Sequence, residues 1–311
     1  MPLRLAIGLL SAAALAYQLL LMRLFSIAQW HHLAFMVISL ALLGYGASGA
    51  FLTVARRPLL ARFETAFVAF AALFGLFAPA CFALSQRFRL NPLELVWAPG
   101  QLGVVAAVYL ILALPFFCAG SAIGLALARF EDSIHRLYRA DLAGAAAGAS
   151  AAIAVLYFMP ASAALRLAGA AGGLAAGIVW VSGWASRRGR KRAGGRGASI
   201  HLVGPALAAA ALLASAAWPA GWLEPRVSEY KSLAKALLVP GVEIVARRSG
   251  PLGEFAAVRS SQIPFRMAPG LSFAYSGEIP EQIVVFRRFS CLVSDRCGVH
   301  RRSHGHSLSA R

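Results

Sequence analysis

Hydrophobic residues along this chain come in long unbroken runs rather than in short alternations. Stretches free of Asp, Glu, Lys and Arg cover Leu5–Met22, Leu24–Ala55, Thr65–Gln86, Leu95–Ala128, Leu142–Leu165, Leu167–Ser186 and Gly197–Leu223. A helix crossing the hydrocarbon of a bilayer needs roughly 20 apolar residues, so the seven runs predict about seven transmembrane helices. Gln29, Trp30, His31 and His32 are polar or interfacial, which moves the second span to Leu33–Ala55. Pro99 and Gly100 mark a boundary, so the fourth begins near Gln101, with Pro115 as a site for a kink. Leu5–Met22 is longer than a signal peptide's apolar region of about 7–15 residues and ends Leu-Leu-Leu-Met-Arg. An uncleaved first span is expected.

After Leu223 the texture changes. Val227–Leu238 reads as a short helix closed by Pro240-Gly241. Val242–Arg247 and Glu254–Arg259 read as a hairpin around Ser249–Gly253, with further strands at Leu271–Tyr275 and Gln282–Phe286. Past Phe286 neither period is visible: Arg287–Arg311 holds six Arg, three His, five Ser and two Cys. The expected fold is therefore an all-α membrane protein followed by a small, incomplete β layer and a disordered basic tail. The expected divisions are 1–223, 224–286 and 287–311.

Composition agrees with lipid as the solvent. Of 311 residues 59% are hydrophobic and 14% charged, against about a quarter charged in soluble domains, which excludes a purely cytosolic enzyme. The net charge of +18 is explained by topology. Thirteen Lys and Arg flank the spans on the N-terminal side and four (Arg23, Arg87, Arg89 and Arg166) on the other. Positive residues collect in the cytoplasm, so a cytoplasmic N-terminus in a bacterial inner membrane is expected. The Arg187–Arg196 cluster reads as an anchor on anionic lipid, and no nucleic-acid partner is called for.

Glycines recur at four-residue spacing in Gly120/Gly124, Gly144/Gly148 and Gly169/Gly173/Gly177. Such strips let helix backbones approach closely, and they would also allow the sliding of a transporter. Gly44, Gly46 and Gly49 spell the dinucleotide fingerprint but lie mid-span, where it cannot work. Asp141 stands at the expected start of the fifth span, as a helix cap or as a functional carboxylate. A metal role for His31 and His32 lacks partners beyond His135 and His201. Cys291, Cys297, His300, His304 and His306 lack the short ligand spacing of structural zinc sites. No metal, cofactor or catalytic residue is expected. The candidate substrate-binding residues are Asp141, Arg139 and Tyr138, with a small organic cation as the ligand.

Several segments in order resemble the bacterial membrane-bound spermidine synthase-like proteins. They are Ala13–Phe25, Gln29–Gly49, Tyr138–Gly148, Ser228–Lys231 and Arg248–Gly253. The resemblance implies that Val242–Phe286 corresponds to the small β domain that precedes an aminopropyltransferase fold, which binds decarboxylated S-adenosylmethionine. That fold needs a further ~150–200 residues of alternating strands and helices. The residues after Phe286 lack that character, with Asp295 as their sole acid. A truncated family member is expected, its tail either a shifted reading frame or natural divergence, and without transfer catalysis. Seven crossings also leave the residues after Leu223 outside the cytoplasm, away from a cytosolic nucleotide. Either the span count is off by one or the membrane-linked domain does not use that cofactor. The competing expectation is a transporter-like bundle for an organic cation.

Overall fold

The computed structural model of the chain describes residues 2–28, 31–88, 99–191, 203–225, 233, 237–238, 240–250, 253–260 and 284–287. Two compact units emerge, residues 1–226 and 227–311. The first contains α1 (Pro2–Ala28), α2 (His31–Ala61), α3 (Phe63–Ser85), α4 (Gly100–Arg129), α5 (Ile134–Val155), α6 (Ala161–Lys191) and α7 (Val203–Ala217). Five of them are long and apolar enough to cross a membrane: α1, α2 from Phe35, α3, α4, and α6 as far as Gly183. They are compatible with an integral membrane protein. Large apolar side chains on the bundle surface agree, with Val54 87% exposed and Leu42 66% exposed.

The expectation of seven spans exceeds this, because charge-free runs and helices do not coincide. The run Leu142–Leu165 is interrupted by a turn ending at Pro160, and α5 begins instead at Ile134. Arg136, Arg139 and Asp141 therefore lie within its first turns and lower its hydropathy. Arg166, expected between spans, lies inside α6. Helix α7 has 15 described residues, about 22 Å at 1.5 Å per residue; residues 192–202 fall outside the described ones.

Close backbone contacts fix the direction of each helix. On α5, a Cβ added to Gly144 would run into the backbone of Gly8 on α1, and one on Gly148 into that of Ala12, so α1 and α5 run parallel. On α4, Gly120 and Gly124 face Ser48 and Leu52, and Gly44 faces Ala113 and Phe116, so α2 and α4 are also parallel. A Cβ on Gly75 of α3 would lie 2.6 Å from the Gly169 carbonyl oxygen of α6, and Gly183 faces Glu64, so these two are antiparallel. Gly173 and Gly169 face Leu212 and Ser215, which sets α7 antiparallel to α6. The expected strips are thus packing surfaces, except Gly177, which has nothing within 4 Å. Gly44–Gly49 is helical, and Gly44 is a packing glycine rather than part of a phosphate loop.

Helices α1 and α3 are the most enclosed. Tyr17, fully buried on α1, meets Phe74 edge-on at 6.0 Å and Phe116 at 5.1 Å. Phe25 and Phe82 pair at 6.5 Å, so aromatic side chains of α1 and α3 meet at two levels and the two helices run in the same direction. Arg56 of α2 pairs with Glu131 in the 3-10 turn that precedes α5.

The second unit holds an antiparallel sheet in the order β1 (Val242–Gly250), β2 (Gly253–Ser260), β3 (Val284–Arg287). The hairpin is where the sequence predicted it, with an irregularity between Ile244 and Ala246. Gly241 enters β1 at φ 78°, a conformation that favours glycine. Arg247 pairs with Glu254 at 3.0 Å across the hairpin. Ala256, Val258 and Leu233 form a small apolar cluster supported by Val242 and Phe286. The expected strand Leu271–Tyr275, most of Val227–Leu238 and the tail 288–311 lie outside the described residues.

Replacing Gly144 or Gly148 with Val forces α1 and α5 apart, and overpacking of this kind costs about 1–3 kcal/mol. Gly46 and Gly49 have nothing within 4 Å of an added Cβ, so Ala there is neutral or slightly stabilising. Thermal unfolding in detergent should rank the four variants in that order.

Candidate functional site

The three residues singled out by the sequence share the N-terminal half of α5. That helix buries Leu137, Gly148 and Ala152, and it lies on α1 through Ala140, Gly144 and Gly148. Tyr138 is 52% exposed, Arg139 is exposed and Asp141 is half-buried. Asp141 lies two turns inside the helix, whose N-cap is Ser133, so its expected role as a cap is overturned. What moved the start is the tract Ile134–Ala140, which is charged but helical. Among the described residues the Asp141 carboxylate has no hydrogen bond or ion pair, and it is close enough to Tyr45 of α2 to interact with it electrostatically.

Position decides what this arrangement can do chemically. Tyr138 precedes Asp141 by three residues and so lies on the same helix face. A half-buried carboxylate with Tyr138 on the same helix face offers a charge and an aromatic ring, the groups that hold organic cations. Arg139, one residue along from Tyr138, opposes that charge and points to a different part of the helix surface. The three are therefore neighbours in sequence without forming one pocket.

Among the described residues there is no group of three or more metal-ligating side chains. The side chains of His31 and His32, together with His201 and the Cys and His of the tail, lie outside the described residues. Cys81 and Cys118 are free and buried within the bundle, in keeping with a packing role.

Sequence reasoning missed a second polar locus at the opposite end of the bundle. Arg23 of α1 is 8% exposed. Arg166 of α6 and Trp218, just after α7, each bury a nitrogen with no hydrogen-bond partner among the described residues. From the sequence both arginines count only as charges flanking the spans; Pro160 is the available signal that Arg166 lies inside a helix.

No protein-family model matches the chain, and no curated protein or solved structure matches it either. The functional reading therefore rests on the residues themselves.

Asp141→Asn removes charge without removing a hydrogen bond, so stability should stay within about 0.5 kcal/mol. Binding of a labelled polyamine to the protein in vesicles should fall by about tenfold, the effect of losing one favourable charge contact. Unchanged binding in the variant, or none in the parent, contradicts a cation site here.

Proposed function

We propose that this chain is the membrane half of a spermidine synthase-like protein. It crosses a bacterial inner membrane seven times from a cytoplasmic N-terminus and serves as a scaffold rather than as the transferase. The alternation of helix directions carries the proposal. Helix α6 is antiparallel to α3, and three further helices, α4, α5 and α6, follow α3 in the chain. If α5 did not traverse, α6 would start at the same end as α3 and run parallel to it. The direction of α7, opposite to α6, extends the alternation to seven.

The charges support the orientation. Arg56, Arg57, Arg129, Arg136 and Arg139 lie towards the end of the bundle that holds the N-terminus, and Arg23, Arg87 and Arg166 towards the other. The excess at the first end suits the cytoplasmic face, where Arg187–Arg196 would meet anionic lipid. Backbone-to-backbone seating of α1 on α5 and of α3 on α6 favours a scaffold over a pair of rocking halves. The hairpin of the second unit matches the small β domain of the family in kind, and Arg248–Gly253 are part of the sequence likeness. A second reading, handling of a small organic cation, is favoured by the Asp141 carboxylate, which has no hydrogen bond or ion pair among the described residues and shares a helix face with Tyr138.

Reporter fusions test the crossings. Fusions after Asp132 and Gly189 should report cytoplasmic, and fusions after Phe158 and Glu224 should report exported. A Phe158 fusion on the same side as Asp132 overturns the role of α5 and with it the seven-span scaffold.

A further inference from the structure

Helix contacts align the polar residues at the end of the bundle away from the N-terminus. On α6 and α7, Gly169 faces Ser215 and Gly173 faces Leu212. Continuing one turn along each antiparallel helix brings Arg166 to the level of Trp218. Gly169 also faces Pro79 of α3, at 3.2 Å for an added Cβ, which puts Arg166 at the level of Phe82 and Ser85. The Phe25–Phe82 pair then brings Arg23, two residues before Phe25, to that same level. Helix α6 packs on α1, α3 and α7, so Arg166 and Trp218 come from adjoining elements. Just beyond them, Arg87 stacks on Trp222 at 4.9 Å, and Trp222 stands 6.4 Å from Trp218.

Two groups in this cluster hold hydrogen-bond donors that nothing among the described residues uses. Arg166 Nε and Trp218 Nε1 are buried without an acceptor among the described residues, and both can only donate. The hydroxyls of Ser26 and Ser85 give their protons to the carbonyls of Arg23 and Phe82, each at 2.7 Å. Arg87 and Arg166 stand at this end with one carboxylate among the described residues, Glu224, which is exposed. The N-terminus of α6 at Ala161 adds the positive end of its dipole. Buried donors without acceptors are rare in folded proteins and call for a ligand or ion.

We propose that Arg166 and Trp218 form a binding site for a phosphate oxyanion at this end of the bundle. A guanidinium fork offers two donors to a phosphate, and the indole N–H offers a third. The level is that of a membrane–water boundary, where Trp and Arg meet phosphate groups. The phosphate is that of a phospholipid headgroup or free in solution; the chemistry is shared.

The test uses the full-length protein, delipidated in a phosphate-free maltoside detergent. Melting temperature is followed against inorganic phosphate and, separately, against a short-chain phosphatidylglycerol. Trp218→Phe keeps the ring and removes the N–H, and Arg166→Lys keeps the charge and removes the fork, so both variants should fold. A rise in melting temperature with the lipid alone assigns the site to a headgroup, and a rise with both probes assigns it to free phosphate as well. In either case the apparent affinity should weaken by about tenfold in each variant, the effect of one charge-assisted hydrogen bond. No response to either probe, or responses equal in parent and variants, overturns the site.

Discussion

Close approach of helix backbones is the constraint on which this bundle depends. Lipid tails are as apolar as leucine, so burial gives transmembrane helices little reason to associate; packing and interhelical polar contacts must supply it. At Gly144 against Gly8, and at Gly75 against Gly169, any side chain would collide with a neighbouring backbone. The directions of α1, α3, α5 and α6 follow from these contacts. So does the enclosure of the aromatic column around Tyr17, whose partners Phe74 and Phe116 come from α3 and α4.

Helix α5 shows what that constraint can carry. Its first turns hold Arg136, Arg139 and Asp141, and its outward surface exposes Tyr138, Leu142 and Ile153. Few polar side chains are welcome beside hydrocarbon, yet the tight seam on α1 fixes the helix in place. Charges near one helix end can reach the boundary by snorkelling. Asp141, two turns into the helix, makes no hydrogen bond or ion pair among the described residues, so the fold does not draw on its charge. At the opposite end of the bundle Arg166 and Trp218 each bury a nitrogen with no hydrogen-bond partner among the described residues.

Much of the helical architecture was legible in the sequence, because apolar runs of membrane length have few other uses. All seven runs contain most of a helix, and the four-residue glycine spacing pointed to the seams. What sequence missed has one cause: counting charges located boundaries where charges stand rather than where helices end. Arg166 ends one run and begins another, yet it sits inside α6, while the true break falls at Pro160, which carries no charge. The same rule placed Asp141 at a helix start, when the helix begins at Ile134. Gly8 and Gly75 escaped notice because each is a lone glycine in its own helix, and the partner of a strip need not carry a strip. The hairpin at Val242–Ser260 was readable from its turn residues, whereas the unpartnered donors of Arg166 and Trp218 come from two separate segments and have no local signature.

The central claim is that α5 lies in lipid alongside α1. A nitroxide placed at Ile153, 55% exposed on the outward face of α5, tests it through collision rates with two relaxants in reconstituted vesicles. Oxygen, which partitions into hydrocarbon, should relax the label strongly, and a water-soluble nickel chelate should barely reach it. A label relaxed by the nickel chelate and shielded from oxygen would place α5 in water and contradict the account.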